Sequence, residues 1–122
     1  MSISEKRGAE QRGRAAESVA AWLLRFKGYR IIARRAKTPV GEIDLIVRRG
    51  NLVAAVEVKA RADITQAAES LSPRQRQRIA QAFDYWLAHK PGLAGLDRRF
   101  DLIVAAPRRL PRHLVDAWRP TD

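Results

Sequence analysis

The sequence contains no cysteine and only two histidines, and these absences exclude several kinds of chemistry. Without cysteine there is no disulfide framework, no zinc site built on thiolates and no thiol nucleophile. Of the two histidines, His89 fits the dipole at a predicted helix C-terminus, whereas His113 has no evident partner. Nothing in the composition therefore demands an oxidising compartment.

Long apolar runs are also missing. The N-terminal residues lack the apolar segment of a secretory signal, and no stretch approaches the roughly 20 apolar residues of a membrane span. We therefore expect a cytoplasmic protein without a membrane partner. The 122 residues are enough for one domain, and we expect a single one over residues 1–122. Residues 1–7 are expected to fray and residues 107–122 to form a tail that packs on the core.

Acidic residues are scarce beside basic ones. The chain has 13 Asp plus Glu against 24 Lys plus Arg, a formal net charge of +11, and 19 of the basic residues are Arg. Because the planar guanidinium binds phosphate through two hydrogen bonds, this composition indicates a polyanion partner, most simply nucleic acid. A ribosome-associated or merely cationic protein is the alternative that charge alone leaves open.

The periodicity predicts a helix, three strands, a second helix and a further strand, followed by a proline-rich tail. The first helix is predicted over residues 11–27. A capping box formed by Ser72 and Gln75 opens the second helix, after a loop of uncertain structure over residues 61–71. Strands are predicted at residues 29–33, 42–48, 52–61 and 99–106. The predicted fold class is α/β, with a mixed sheet of about four to five strands flanked by helices.

Two carboxylates are predicted to face each other across the hairpin that joins the second and third strands. Gly50 and Asn51 favour a tight two-residue turn, and the register that follows pairs Asp44 with Glu57. Strand alternation then places together on the opposite face Ile43, Leu45 and Val47. Opposed carboxylates repel and destabilise a sheet unless something offsets the cost. A magnesium or manganese ion held by both carboxylates and by waters would do so.

Lys59 is predicted to project from the same face as Glu57, where its ammonium would orient an attacking water or stabilise a pentavalent phosphate. Glu17 has apolar helical neighbours, which favours a partly buried metal ligand or a residue that supports one. A structural interpretation stays open beside this one. In it Glu57 and Lys59 face solvent, Asp44 bonds a nearby amide, and Glu17 pairs with an arginine such as Arg14.

The segments GEIDLI at residues 41–46 and VEVKAR at residues 56–61 resemble the YraN-like family of small bacterial proteins. That family is similar to the PD-(D/E)XK nucleases, so the resemblance implies a restriction-endonuclease-like core, a fold also seen in archaeal Holliday junction resolvases. By motif position it implies Asp44, Glu57, Lys59 and Glu17 as catalytic residues. Among these, Asp44, Glu57 and Glu17 would hold the magnesium or manganese ion.

The resemblance further implies a metal-dependent endonuclease acting on DNA, including branched DNA such as Holliday junctions. By analogy with the two-fold dimers of junction resolvases, it implies a homodimer joined through residues 61–71. Two other functions remain open: a non-catalytic nucleic-acid-binding module and an RNA- or ribosome-associated assembly factor with the same fold. Cleavage that depends on magnesium would distinguish the first function from the others.

Basic residues that precede the second strand, flank the hairpin, follow the third strand or open the second helix are predicted to contact phosphates. They are Arg34, Arg35, Lys37, Arg48, Arg49, Arg61, Arg74, Arg76 and Arg78. Trp22 and Trp86 lie within apolar helical segments and are expected in the core. Asp101, in an apolar strand, is expected to satisfy a buried polar contact rather than to bind metal.

Overall fold

The computed structural model describes residues 3–120, with side-chain surroundings given from Gly13 onward. The helices are α1 (Ile3–Phe26), α2 (Ile64–Glu69) and α3 (Pro73–Ala88), followed by a single 3-10 turn at Pro91–Leu93. The strands are β1 (Arg30–Lys37), β2 (Glu42–Arg49), β3 (Leu52–Ala60), β4 (Asp97–Ala105) and β5 (Arg112–Leu114). The prediction that residues 1–7 fray lies partly outside the described residues. Residues 1 and 2 are not described, and for the first residues of α1 only the backbone is described.

The strands form one mixed sheet in the order β1-β2-β3-β4-β5. β1, β2 and β3 are joined by hairpins and run antiparallel, whereas β4 lies parallel to β3. A parallel pair needs a crossover connection, and α2 and α3 supply it here. The predicted α/β class, with a mixed sheet flanked by helices, is confirmed.

Two short elements lie where the sequence predicts none. α2 falls within the loop predicted at residues 61–71, where the Asp63 carboxylate caps it by accepting a hydrogen bond of 2.7 Å from the Thr65 amide. β5 falls within the predicted tail and pairs antiparallel with β4. Both elements are too short to show a periodicity, so tertiary contacts are needed to define them. The homodimer contact predicted for residues 61–71 stays a prediction.

α1 covers one face of the sheet, and the side of the helix that packs there is not the side that carries Trp22. The buried residues from Ala16 onward include Ala20, Ala21 and Leu24, because small side chains let the helix backbone approach the sheet closely. Trp22 is 70% exposed and lies under the guanidinium of Arg25, so the prediction that it belongs to the core is wrong. Trp86 is half-buried against the core. No helix within residues 3–120 combines the length and apolar character needed to cross a lipid bilayer.

The two faces of the sheet form two apolar clusters, one under α1 and the other under α3. Leu45 and Val47 lie in the α1 cluster, as their alternation predicts. Ile43 lies instead in the α3 cluster together with Ile46, so the prediction that it shares a face with Leu45 is wrong. The alternation of β2 is therefore interrupted at Asp44, which is the residue between the two patterns.

Candidate active site

The hairpin between β2 and β3 has the predicted register over most of its length. Ladder pairs run from Arg49–Leu52 to Leu45–Val56 among the residues described. Beyond the last pair, Oδ2 of Asp44 accepts a hydrogen bond of 2.8 Å from the amide of Val58. The ladder thus ends one step before the predicted Asp44–Glu57 pair, and the Asp44 carboxylate accepts the Val58 amide there.

Asp44 and Glu57 are nevertheless close enough to interact strongly. Glu57 is only 8% exposed, and burial, followed by the negative charge of Asp44, raises its pKa well above the ordinary value. Burial also raises the pKa of Asp44, although the hydrogen bond from the Val58 amide opposes this. Burial and mutual repulsion therefore disfavour two negative charges here unless a cation compensates for them.

Glu57 carries the clearest mark of an incomplete site. Its Oε1 atom is buried and has no hydrogen-bond partner in the described part of the chain. Unpaired buried acceptors are rare in proteins, and each calls for a specific explanation. Since two carboxylates are the hard oxygen donors that magnesium and manganese prefer, the Asp44–Glu57 pair fits such an ion.

Lys59 lies within electrostatic reach of both acids. Burial raises the pKa of both carboxyl groups, and the positive charge of Lys59 acts in the opposite direction on each. The side chain is half-buried, two residues along β3 from Glu57 and so on the same face of the strand. Asp44, Glu57 and Lys59 are thereby gathered at one end of the β2–β3 pair.

Glu17 is buried on α1, as predicted, but its carboxylate already forms an ion pair with an arginine. The Nε atom of Arg35 donates to its Oε2 atom at 3.1 Å, so its ion-pair partner is Arg35 rather than Arg14. Arg35 has a φ of 47°, a left-handed conformation that costs a non-glycine residue about 1–2 kcal/mol. Within residues 13–120, no three Asp, Glu or His side chains are placed to share a metal ion. The donors in place are thus Asp44 and Glu57, with Glu17 nearby.

An open cleft of about 600 Å³ lies in front of Asp44, between α1 and the edge of the sheet. Three acids, Glu17, Glu42 and Asp44, line it together with the basic side chains of Arg14, Arg35 and Lys37. Arg14 is a lining residue that the sequence analysis did not propose as a phosphate contact. Its position three residues before Glu17, on the same helix face, is the signal that could have identified it.

The other predicted phosphate contacts are scattered. Arg78 packs against Gly41 closely enough that a Cβ there would lie 3.1 Å from its side chain, which places it beside the start of β2. Arg34, Arg61 and Arg74 are exposed. Arg76 is half-buried, and its Nε atom is buried without a partner in the described structure. Arg48 and Arg49 lie at the hairpin end of β2, far from the carboxylates.

Asp101 makes the buried polar contact that the sequence predicts. The Arg99 guanidinium donates to both of its carboxylate oxygens at 2.7 Å, and Nε2 of His113 lies 2.8 Å from Oδ2. His113, which has no evident partner in the sequence, thus has one from β4. Asp101 is apart from the cleft and belongs to the scaffold.

Comparison with known proteins finds a family model that spans the residues of the candidate site. The model of the uncharacterised protein family UPF0102 matches residues 16–105, which include Glu17, Asp44, Glu57 and Lys59. A UPF0102 protein of Parvibaculum lavamentivorans is 57% identical over 108 residues, 88% of this chain and 81% of that protein. The UPF0102 protein amb4503 of Paramagnetospirillum magneticum is 54% identical over 115 residues, 91% of this chain and 89% of that protein.

Proposed function

This chain belongs to the uncharacterised protein family UPF0102, and we propose that it is a divalent-metal-dependent endonuclease that acts on DNA. The resemblance to YraN-like proteins is confirmed by this membership. One observation carries the proposal: the buried carboxyl group of Glu57 interacts with the half-buried one of Asp44, an oxygen of Glu57 has no partner among the described residues, and Lys59 lies beside both. We expect the protein to act in the cytoplasm.

Asp44 and Glu57 would hold the magnesium or manganese ion, with Glu17 as a further ligand only after release from Arg35. When bound, the ion would neutralise charge on the phosphate and help to activate water. The hydrogen bond from the Val58 amide fixes the Asp44 carboxylate, so this donor is oriented before any ligand arrives.

The basic side chains would bind the phosphates and orient the attacking water. The Lys59 ammonium would donate hydrogen bonds to a phosphate oxygen and to the attacking water, where negative charge develops. Arg14, Arg35 and Lys37 would hold flanking phosphates at the cleft. The oxygen of water forms a bond to phosphorus while one phosphodiester P–O bond breaks, and the leaving oxygen takes up a proton.

The substrate we propose is branched or otherwise structured DNA, in keeping with the resemblance to junction resolvases.

A non-catalytic nucleic-acid-binding module is the second candidate, and one observation favours it. Glu17 is held by Arg35, and the described residues include no cluster of three acids around a metal position. A protein that only binds DNA would need the basic side chains of the cleft without a complete set of metal ligands.

The test is cleavage of labelled four-way junction, flap, single-stranded and duplex DNA, and of matched RNA, with magnesium, manganese or EDTA. We expect metal-dependent cleavage of DNA that is lost in Glu57→Gln and Lys59→Met. Lys90→Met is the matched control, because Lys90 is exposed beyond the end of α3. Binding without cleavage in any metal would favour the second candidate, and preference for RNA would indicate an assembly factor. Activity that survives both substitutions would contradict the proposed site.

A further inference from the structure

β1 is an edge strand of the sheet and carries an unusual density of positive charge. Among the described strands it pairs only with β2, and its eight residues, RIIARRAK, include Arg30, Arg34, Arg35 and Lys37 but no acid. All four basic residues are exposed along this edge. Arg35 and Lys37 lie at the end that lines the carboxylate cleft, and Arg30 lies at the other end.

A basic cavity lies at that far end. It is an open recess of about 430 Å³ lined by Arg30, Arg48 and Arg49 with Gly28 and Gly50, and none of these residues is acidic. Three guanidinium groups around one recess repel each other, so an anion with several oxygens is the ligand whose charge complements them.

Two of the three arginines of this recess, Arg48 and Arg49, are held in place. Arg49 lies over the ring of Tyr29 at 4.2 Å and donates to the Lys27 carbonyl at 3.2 Å. Arg48 donates through Nε to the carbonyl of Gly50 at 3.2 Å. Because backbone carbonyls use only part of each guanidinium, the remaining N–H groups stay free to bind phosphate. These two guanidinium groups are thus oriented before any ligand binds.

The spacing of the two basic ends suits a DNA backbone. Seven residue steps separate Arg30 from Lys37, a length of about 23 Å at about 3.3 Å per residue. Duplex DNA rises about 3.4 Å per base pair, so this span equals about seven base pairs. Arg34 stands between the two ends, so positive charge continues along the whole edge.

We propose that a duplex arm of DNA lies along the β1 edge, with its phosphates held by Arg30, Arg48 and Arg49 at one end and by the cleft at the other. The inference rests on the proposed function for the cleft end, and it adds that the substrate carries at least about seven base pairs of duplex on one side of the cleavage point. The alternative use of such charge is protection of an edge strand from pairing with other chains.

The experiment measures DNA binding in EDTA, so that cleavage does not contribute. Fluorescently labelled DNA hairpins with stems of about 5 and about 12 base pairs are titrated with the full chain over a range of salt concentrations. The test variant is R30Q/R48Q. The matched control is R109Q/R112Q, which removes the same charge near the opposite edge strand, β5.

We expect the wild type to bind the long stem more tightly than the short one and R30Q/R48Q to lose that preference. The slope of log affinity against log salt should fall by about 2 for the long stem, since two phosphate contacts are removed. The control should keep both the preference and the slope. The inference would be overturned if R30Q/R48Q still bound the long stem more tightly than the short one, or if the control lost this preference equally.

The proposed catalytic function is tested separately by the cleavage panel. Metal-dependent cleavage by R30Q/R48Q with no change in stem preference would leave the nuclease standing and refute the duplex arm. A lost stem preference in this variant, from a wild type that cleaves nothing, would support the arm and refute the catalysis. Failure of the wild type to bind either stem would refute the duplex arm, and absence of cleavage with every metal would refute the catalysis.

Discussion

The Nε atom of Arg35 lies 3.1 Å from the Oε2 atom of Glu17, which ties the edge strand β1 to α1 across the cleft. Arg35 adopts a left-handed backbone conformation at this point, and strain of this kind is concentrated at functional sites. The pair sets two demands against each other. In the proposed function Arg35 would supply positive charge for phosphate, although it is already paired with a carboxylate that a metal ion would use.

Arg35→Met should therefore separate these two roles. With the guanidinium gone, Glu17 is free and the positive charge beside Asp44 is reduced, so manganese should bind several-fold more tightly. DNA should bind more weakly because a phosphate contact is lost. Manganese titration in the absence of DNA and DNA titration in EDTA measure the two effects separately.

Arg34→Met is the matched control for this prediction. Arg34 is exposed on the same strand and has no part in the Glu17 ion pair. It should weaken DNA binding while leaving manganese affinity as in the wild type. Equal manganese affinity in Arg35→Met and wild type would mean that Glu17 does not contribute to the metal site.

Glu57→Gln should make the protein more stable at neutral pH while abolishing cleavage. Burial and then the charge of Asp44 raise the pKa of Glu57 above its ordinary value of 4.5. As pH rises above 4.5, the unfolded chain releases this proton before the folded one does, so the wild type loses stability over that range. Glutamine has no such proton to lose, and the gain should be on the order of 1 kcal/mol at pH 7.

Urea unfolding at pH 7 and at pH 4 tests this prediction. The stabilisation by Glu57→Gln should be present at pH 7 and shrink at pH 4, where the glutamate is mostly protonated in both states. Glu69→Gln, at the exposed end of α2, should change stability little at either pH. A destabilised Glu57→Gln protein at pH 7 would show that the ionised carboxylate supports the fold rather than straining it.

Much of the site could be predicted because it rests on local rules. Gly50, with a φ of 60°, closes the two-residue turn, and this turn sets the register that brings β2 and β3 together. The capping box of α3 is also confirmed: the Gln75 amide donates to Ser72 Oγ at 3.2 Å, and the Ser72 amide donates to Gln75 Oε1 at 3.1 Å. In both cases the residues that decide the structure are neighbours in the chain.

The features that sequence reasoning missed depend on contacts between distant elements. The pairing of β1 and β2 shifts register between Ile31 and Ala33, which changes how the rest of the edge strand faces its neighbour. The break in alternation at Asp44 arises because its carboxylate binds the amide of Val58 on the next strand. Neither feature has a periodic signal, since each is decided by a partner that the sequence pattern does not specify.

Truncation of the buried Trp118 and of the exposed Trp22 to alanine should change the free energy of unfolding by very different amounts. Trp118 is 3% exposed and stacks on Phe100 with ring centroids 4.3 Å apart, so Trp118→Ala should cost about 3–4 kcal/mol in the free energy of unfolding. Trp22→Ala, on the exposed side of α1, should change it by less than about 0.5 kcal/mol. Urea unfolding followed by far-ultraviolet circular dichroism measures both. A large loss in Trp22→Ala would indicate that this face of α1 is covered in solution.

Asp101 should make stability fall in acid, because its negative charge holds β4, β5 and the end of the chain together. Burial alone would raise its pKa, but the hydrogen bonds from His113, Arg99 and the Asp116 amide outweigh this and lower the pKa to about 2. A lowered pKa stabilises the fold above the ordinary value of 3.8, and this stability, about 2 kcal/mol, is lost as pH falls towards 2.

Asp101→Asn should remove that part of the acid dependence and destabilise the fold at pH 7 by about 3 kcal/mol, since it leaves Arg99 with an uncompensated charge. Asp116→Asn, which disturbs only the exposed ion pair with Arg119, should keep the wild-type acid profile. Identical acid profiles for the wild type and Asp101→Asn would show that other carboxylates control the acid transition.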